Sequence, residues 1–360
     1  MQIFGEFILI LNKNRHMKRN IFHGILLFLV QCVLIITSCY GQNSVPVRFV
    51  FYNVENLFDV VDDSLTLDEA FTPEGENGWS IKRYHEKLDN IAKTLTALGE
   101  WELPALLALC EVENRDVLYD LTKHRLLEGA GYKIIHQNSP DRRGIDVGLL
   151  YIPAFFTPIR SMWIPIEFNA DPVMLTRDIL YVKGLLFETD TIHLFINHWP
   201  SRWGGVEASM PKRVAVANIL RSFTDSIFKA DGKPNILIAG DLNDNPDDTA
   251  VYKVLGARSK YDGNSSELYN LMFPLYLNEK KGSLKYKADW EVYDQIIVSG
   301  SLLDNTGIKV KDGKAVIFSA EFLLKEDERY LGMKPYRTYA GPSYLGGYSD
   351  HLPVYIDLSK

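Results

Sequence analysis

Six stretches of this 360-residue chain carry residues that can do chemistry at the end of an apolar run. RFVFYNVENLF holds Asn53 and Glu55, and ALLALCEVEN holds Glu111 and Glu113. TIHLFINHWPSR leads to Asn197 and His198, and ILIAGDLN to Asp241 and Asn243. EVYDQIIVS carries Asp294, and GGYSDHLPVYIDL carries Asp350 and His351. One polar residue at a strand end is ordinarily a turn or a cap. Six such ends predict that they converge on one polar cleft. Carboxylates and amides without thiolates are hard oxygen donors, suited to Mg2+, Mn2+ or Ca2+ rather than structural zinc. Such an ion polarises a phosphoryl oxygen and lowers the pKa of an attacking water. A histidine oriented by a carboxylate acts as base or phosphate donor near neutrality. These residue types point to metal-assisted hydrolysis of a phosphate ester.

The hydrophobic pattern predicts the elements that must position them. Strand-length apolar runs fall at Val47 to Tyr52, Leu106 to Cys110, Ile145 to Ile152 and Tyr181 to Phe187. Others follow at Ile192 to Asn197, Ile236 to Ala239, Gln295 to Val298 and Leu352 to Ile356. Ile81, Tyr84, Leu88, Ile91, Leu95 and Leu98 recur at helical steps between an N-cap at Ser80 and a stop at Gly99. Val214, Ala217, Ile219, Leu220, Phe223 and Ile227 predict a second helix. Strands outnumber helices, so an α/β domain with helices outside its sheets is expected. Residues 155–178 and 259–290 read as loops that select the substrate.

A hydrophobic content of 46% and a charged content of 24% fit a globular domain. The net charge of -7 argues against broad attraction to nucleic acid but leaves room for a local basic groove. From Met17 the sequence MKRN precedes the apolar IFHGILLFLVQCVLIITSC, the layout of a signal peptide. Translation is therefore expected to start at Met17, and a permanent membrane anchor is the competing reading. Ile36 to Cys39 resembles a bacterial lipoprotein box, which would make lipidated Cys39 the first residue; cleavage after Gly41 competes. The expected division is an N-terminal extension and leader over 1–41, then a single catalytic domain over 42–360. An exported bacterial protein is expected, periplasmic or membrane-anchored, acting as a monomer. Cys110 is the sole cysteine beyond the leader, so no internal disulfide is expected and its thiol reads as buried structure.

The ordered set YNVEN, CEVEN, NHWPSR, GDLNDNP, YDQIIVS and YSDHLPV resembles the endonuclease/exonuclease/phosphatase superfamily, the deoxyribonuclease-I-like fold. The resemblance spans about Arg48 to Ile356. It implies an α/β four-layer sandwich, two packed mixed β-sheets flanked by helices, with the cleft along one edge. It also implies a metal site at Asn53, Glu111 and Asp350, and a phosphate contact or proton donor at His198. Asp241 and Asn243 match the pair that aligns the attacking water and the phosphoryl oxygen. Asp294 matches the carboxylate that orients His351, and His351 the general base or electrostatic stabiliser. Cys110 replaces the Gln usual before the metal Glu, and Tyr293 stands where an apolar residue is frequent. Neither departure removes a reacting group.

The expected activity is Mg2+-dependent hydrolysis (or with Mn2+ or Ca2+) of a phosphodiester, as in an endonuclease, or of a phosphomonoester. Nucleic acid, a phospholipid head group and an inositol phosphate are the substrate classes. The competing reading is a non-catalytic surface lipoprotein that binds glycan or nucleic acid on the same fold. Arg202 is expected to bind substrate phosphate, whereas Arg142 and Arg143 read as solvated. Asp146 is expected to pair with an arginine. Trp199, Trp203, Tyr286 and Trp290 either stack on a base or pack the cleft wall.

Overall fold

A computed structural model describes residues 46–100, 102–168, 174–277 and 281–360; Met17, the leader and Cys39 lie outside them. The chain runs through β1 (Val47–Leu57), α1 (Ile81–Gly99), β2 (Leu106–Val112), α2 (Arg115–Lys123), β3 (Lys133–His136), β4 (Asp146–Tyr151) and β5 (Phe156–Ile164). It continues through β6 (Ile179–Leu186), β7 (Asp190–His198), α3 (Val206–Ala230), β8 (Ile236–Asp241), β9 (Leu268–Asn270) and α4 (Phe273–Leu277). Then come β10 (Leu284–Tyr286), β11 (Asp289–Glu291), β12 (Asp294–Ser299), β13 (Lys309–Val310) and β14 (Val316–Ile317). Two short hairpins, β15 (Leu324–Glu326) with β16 (Met333–Pro335) and β17 (Tyr339–Ala340) with β18 (Ser343–Tyr344), precede β19 (Val354–Ser359).

One sheet has the order β13-β19-β1-β2-β4-β3, with β14 also on β19; the other has β5-β6-β7-β8-β12-β9. Pairs β1–β2 and β7–β8 are parallel within otherwise antiparallel ladders, so both sheets are mixed. Alternate side chains leave a strand on opposite faces. Phe49, Phe51, Leu106 and Ala108 of the first sheet share a core with Leu194, Ile196, Leu237 and Ile296 of the second. Their neighbours Val50, Tyr52, Leu107 and Leu109 pack instead with Leu88, Ile91 and Leu95 of α1 and Val117 and Leu121 of α2. On the far side, Phe195, Ile236, Ile238 and Ile297 pack with Val216, Ala217 and Leu220 of α3. Helix, sheet, sheet, helix is the four-layer sandwich that the resemblance implies.

Helix α1 begins and ends where the sequence pattern places it, and the Ser80 hydroxyl accepts from the Arg83 amide at 3.5 Å. Helix α3 starts earlier than its apolar stripe, at Val206, and carries Pro211 inside. Its first turns are held by Arg213, a buried guanidinium donating to Asp244 at 2.7 Å and Ser209 at 2.9 Å. The segment read as a substrate loop over 155–178 contains β5, an edge strand. Pro158 and a bulge between Pro158 and Arg160 break its two-residue period and hide it.

One buried group ties the fold to pH. His193 on β7 bonds the Tyr181 hydroxyl at 2.8 Å. Burial, with Lys183 adding to it, pulls the imidazole pKa from 6.5 down to about 4. The folded value lies below the unfolded one, so the stabilisation is whole above pH 6.5 and is lost as pH falls toward 4. His193→Gln is expected to shrink the difference in unfolding free energy between pH 7.5 and 4.5 by about 2 kcal/mol, read by urea titration.

Candidate active site

Strand register assembles the site. In the second sheet His198 stands opposite Asp241, and Asp241 opposite Asp294. Three adjacent strands thereby set an imidazole and two carboxylates in one row. Gly240 permits the close approach of β7 and β8, since a Cβ there would lie 2.5 Å from the Asn197 carbonyl oxygen. In the first sheet Asn53 stands opposite Cys110. Glu111 follows in an irregularity of the ladder with β4, at a φ of 60°. A bulge of this kind re-aims a side chain. The Asn53 amide nitrogen then lies 3.2 Å from Glu111 Oε1 and 3.1 Å from Asp241 Oδ2, joining the two sheets. Asn53 Oδ1 accepts from the Glu55 amide at 3.0 Å. Asn53 therefore turns its donor to the two carboxylates, beside the Glu111 with which the resemblance groups it as a metal residue.

The two histidines differ in charge. His351 Nδ1 is 2.6 Å from Asp294 Oδ2, and its Nε2 is 3.8 Å from Asp241 Oδ2. Burial alone lowers its pKa, but Asp294 and Asp241 override burial and raise it well above the ordinary range. His198 Nε2 lies 3.7 Å from Asp241 and 3.8 Å from Glu111. Burial, reinforced by Arg177 and Arg143, holds that imidazole well below the ordinary range. The same surroundings favour the protonated form of His351 and the neutral form of His198, a separation that suits them to different work. Burial also lifts Asp241 to about 6, His351 opposing and Asp294 adding to it. The Asn243 amide donates to Asp241 Oδ1 at 3.0 Å, and its side chain donates to the Trp199 carbonyl at 3.0 Å.

The oxygens fit a hard divalent cation. Glu111 Oε1 is a carboxylate oxygen of the kind that Mg2+ or Ca2+ takes, and it faces the same amide and the same imidazole nitrogen as Asp241 Oδ2. Asp350 is half-buried and accepts from Arg337 at 3.0 Å. Asp241, Asp294 and His351 also bring ligand atoms within 4.8 Å of one another. In that trio His351 Nδ1 already pairs with Asp294 Oδ2 at 2.6 Å.

Two contributors, Arg177 and Lys87, escape a reading of the sequence. Arg177 donates to Asp141 at 2.9 Å and to the Trp199 carbonyl at 2.7 Å, the oxygen that Asn243 also uses. Its sole signal is an arginine heading the apolar run of β6. Lys87 on α1 is fully buried and donates to Thr338 Oγ1 and the Tyr348 carbonyl, both at 2.6 Å, anchoring the loop before His351. Glu55 is buried and accepts from the Thr338 amide at 2.7 Å; burial, then Asp350, lifts it to about 7. Glu113 accepts from the Asp59 amide at 2.6 Å. Asp146 pairs with His136 at 3.1 Å, whereas an arginine was expected; the arginines go to Asp141. Trp199 packs in a core while Trp203 is 89% exposed.

Arg202 is placed to hold the loop after β8. It donates to the Asn243 carbonyl at 2.8 Å and to Asp244 at 3.2 Å, pairs with Asp248, and lies 4.7 Å above the Tyr293 ring. Tyr293 thus gives the guanidinium its stacking partner. Arg202→Ala is expected to lower kcat about tenfold with KM moving less than twofold. A rise in KM alone would return Arg202 to direct phosphate binding.

Residues 48–360 match the model described as the Endonuclease/Exonuclease/phosphatase family. Among solved structures, D. rerio TDP2 complexed with single strand DNA product is 15% identical, with 88% of this chain and 99% of that one covered at a TM-score of 0.54. The human Nocturnin catalytic domain with bound sulfate is 18% identical, with 87% and 94% covered at 0.52. A Bacteroides thetaiotaomicron endonuclease/exonuclease/phosphatase family protein is 14% identical, with 88% and 98% covered at 0.54. At these identities the likeness establishes the fold. The sequence matches none of the curated proteins.

Proposed function

Because the chain belongs to the endonuclease/exonuclease/phosphatase family, we propose that it is a metal-dependent phosphoric-ester hydrolase that cleaves phosphodiesters by attack of water. One observation carries this reading: a carboxylate lifted to about 6, Asp241, sits between a cationic His351 and a neutral His198. A base poised near the working pH combines a useful ionised fraction with proton affinity. Asp241 takes the proton of the attacking water, and Asn243 holds its carboxylate in place. The His351 imidazolium, fixed by Asp294, stabilises charge that builds on the phosphoryl oxygens. His198 provides a neutral hydrogen-bonding wall opposite. Glu111, with Asp350 nearby, would hold the divalent ion, which supplies Lewis-acid polarisation of the phosphate when bound. Support for a phosphate-type substrate comes from the neighbours: the TDP2 structure holds a single-strand DNA product and the Nocturnin structure a sulfate. We propose that the protein is exported by its leader, and is either periplasmic or held to a membrane through a lipidated Cys39.

The test uses protein lacking the leader. Plasmid DNA, RNA, bis-p-nitrophenyl phosphate, sphingomyelin and inositol phosphates are offered with Mg2+, Mn2+ or Ca2+ and again with EDTA. Hydrolysis of a diester is expected, falling at least a hundredfold on chelation. Turnover unaffected by EDTA would overturn the metal requirement. Folded, metal-supplied protein that binds substrate without turning it over would favour a surface lipoprotein with a binding role.

A further inference from the structure

Beside the catalytic row lies a pocket of about 440 Å3, bordered by the loop before β4, the chain entering β6, the Pro200–Trp203 turn and the first turns of α3. In a chain of net charge -7, Arg142, Arg143, Arg177 and Lys212 line it against one carboxylate, Asp141. Two lining residues keep a buried polar atom without a hydrogen-bond partner among the described residues, Thr176 Oγ1 and Arg177 Nε. Arg177 joins this pocket to the active site, since its donor and the Asn243 side chain share the Trp199 carbonyl. Trp203, the most exposed tryptophan among the described residues, stands on the pocket rim.

We propose that this pocket is a subsite for a second phosphate of the substrate, one nucleotide away from the scissile group, with Trp203 stacking on the attached base. The inference rests on the hydrolase reading and narrows it to a nucleotide substrate. Guanidinium groups match phosphate oxygens in a planar fork. An exposed indole has no packing role to fulfil, whereas base stacking on an aromatic ring strengthens binding and tolerates any sequence. A phospholipid head group or an inositol monoester would bring no flat ring to Trp203. The arrangement also explains how an acidic protein can hold a polyanion: the cations are gathered at one point rather than spread along a stripe.

Calorimetric titration of the leaderless protein in EDTA tests this directly, with thymidine 3′,5′-bisphosphate and thymidine 5′-monophosphate as probes. The native protein is expected to bind the bisphosphate at least tenfold more tightly. That preference is expected to fall below twofold in an Arg142→Gln, Lys212→Gln double variant whose melting matches the parent. Trp203→Ala is expected to weaken both probes, through the base they share. Equal binding of the two probes by native protein would overturn the subsite, as would a double variant that keeps the preference. Turnover of bis-p-nitrophenyl phosphate by native protein with metal is measured alongside. Turnover without the preference overturns the subsite alone, and the preference without turnover overturns the hydrolase reading alone.

Discussion

Asp241→Asn is expected to cut kcat on bis-p-nitrophenyl phosphate about 10³-fold while leaving the protein at least as stable as its parent. The two effects separate because the carboxylate is well placed for proton transfer and badly placed for folding. Asn keeps the shape and can still accept from the Asn243 amide, which lies 3.0 Å from Oδ1, but it cannot take a proton from water. A positioned base contributes about 10²–10⁴-fold, and this one also faces the His351 cation. On the folding side, Asp241 is 2% exposed and shares its surroundings with Asp294 and Glu111. Its pKa is raised to about 6, first by burial, so the charged form costs stability above that pH. Removing the charge is expected to add about 1 kcal/mol, or about 2 °C in Tm. The parent's kcat should rise through about pH 6 as Asp241 loses its proton, and the variant should lack that limb. A variant retaining more than a tenth of the parental kcat would sink the assignment of Asp241 as base and move that role to another group.

What the sequence discloses follows from where each residue is buried. The strands that carry the row, β7, β8 and β12, lie inside a sheet with both faces covered, so they stand out as short apolar runs ending on polar residues. Strand β5 sits at an edge with Pro158 and a bulge, and its pattern dissolves into what looks like a loop. The candidate site residues His198, Asp241, Asp294 and His351 stand out in the sequence because each places an imidazole or carboxylate at the mouth of an apolar run, and strand register sets three of them in one row. Their charge states are not legible in the sequence. His198 is neutral through burial and through Arg177 and Arg143, residues that meet it only once the chain has folded. Arg202 has partners that its sequence neighbours do not announce. Its nearness to His198 in sequence suggests substrate contact, yet Asp244, Asp248 and the Tyr293 ring occupy its guanidinium. A lysine on a helix is ordinarily solvated, and only the return of the chain at Thr338 and Tyr348 gives Lys87 its partners.

The Asp294–His351 pair carries the other large effect. Asp294→Asn is expected to lower kcat about 10²–10³-fold with KM within twofold, and to move the alkaline limb of the kcat profile toward neutrality. Asp294 is fully buried, its Oδ2 is 2.6 Å from His351 Nδ1, and its Oδ1 has no hydrogen-bond partner among the described residues. That carboxylate is spent on the imidazole. An amide in its place removes the charge that, with Asp241, outweighs burial and keeps His351 protonated. Burial then acts with less opposition, and the ring loses its proton at a lower pH. An imidazolium that stabilises developing charge must be protonated to work, so in the parent activity persists well above pH 6.5, and in the variant it fails earlier. The profile separates two roles that a loss of rate alone cannot. If His351 were a general base, activity would need its neutral form, and lowering its pKa would move the acid limb toward lower pH and leave the alkaline side untouched. Proton titration of His351 by NMR in the same variant gives the independent reading: the resonance should titrate below its position in the parent, and an unchanged titration would place the control of its charge with Asp241.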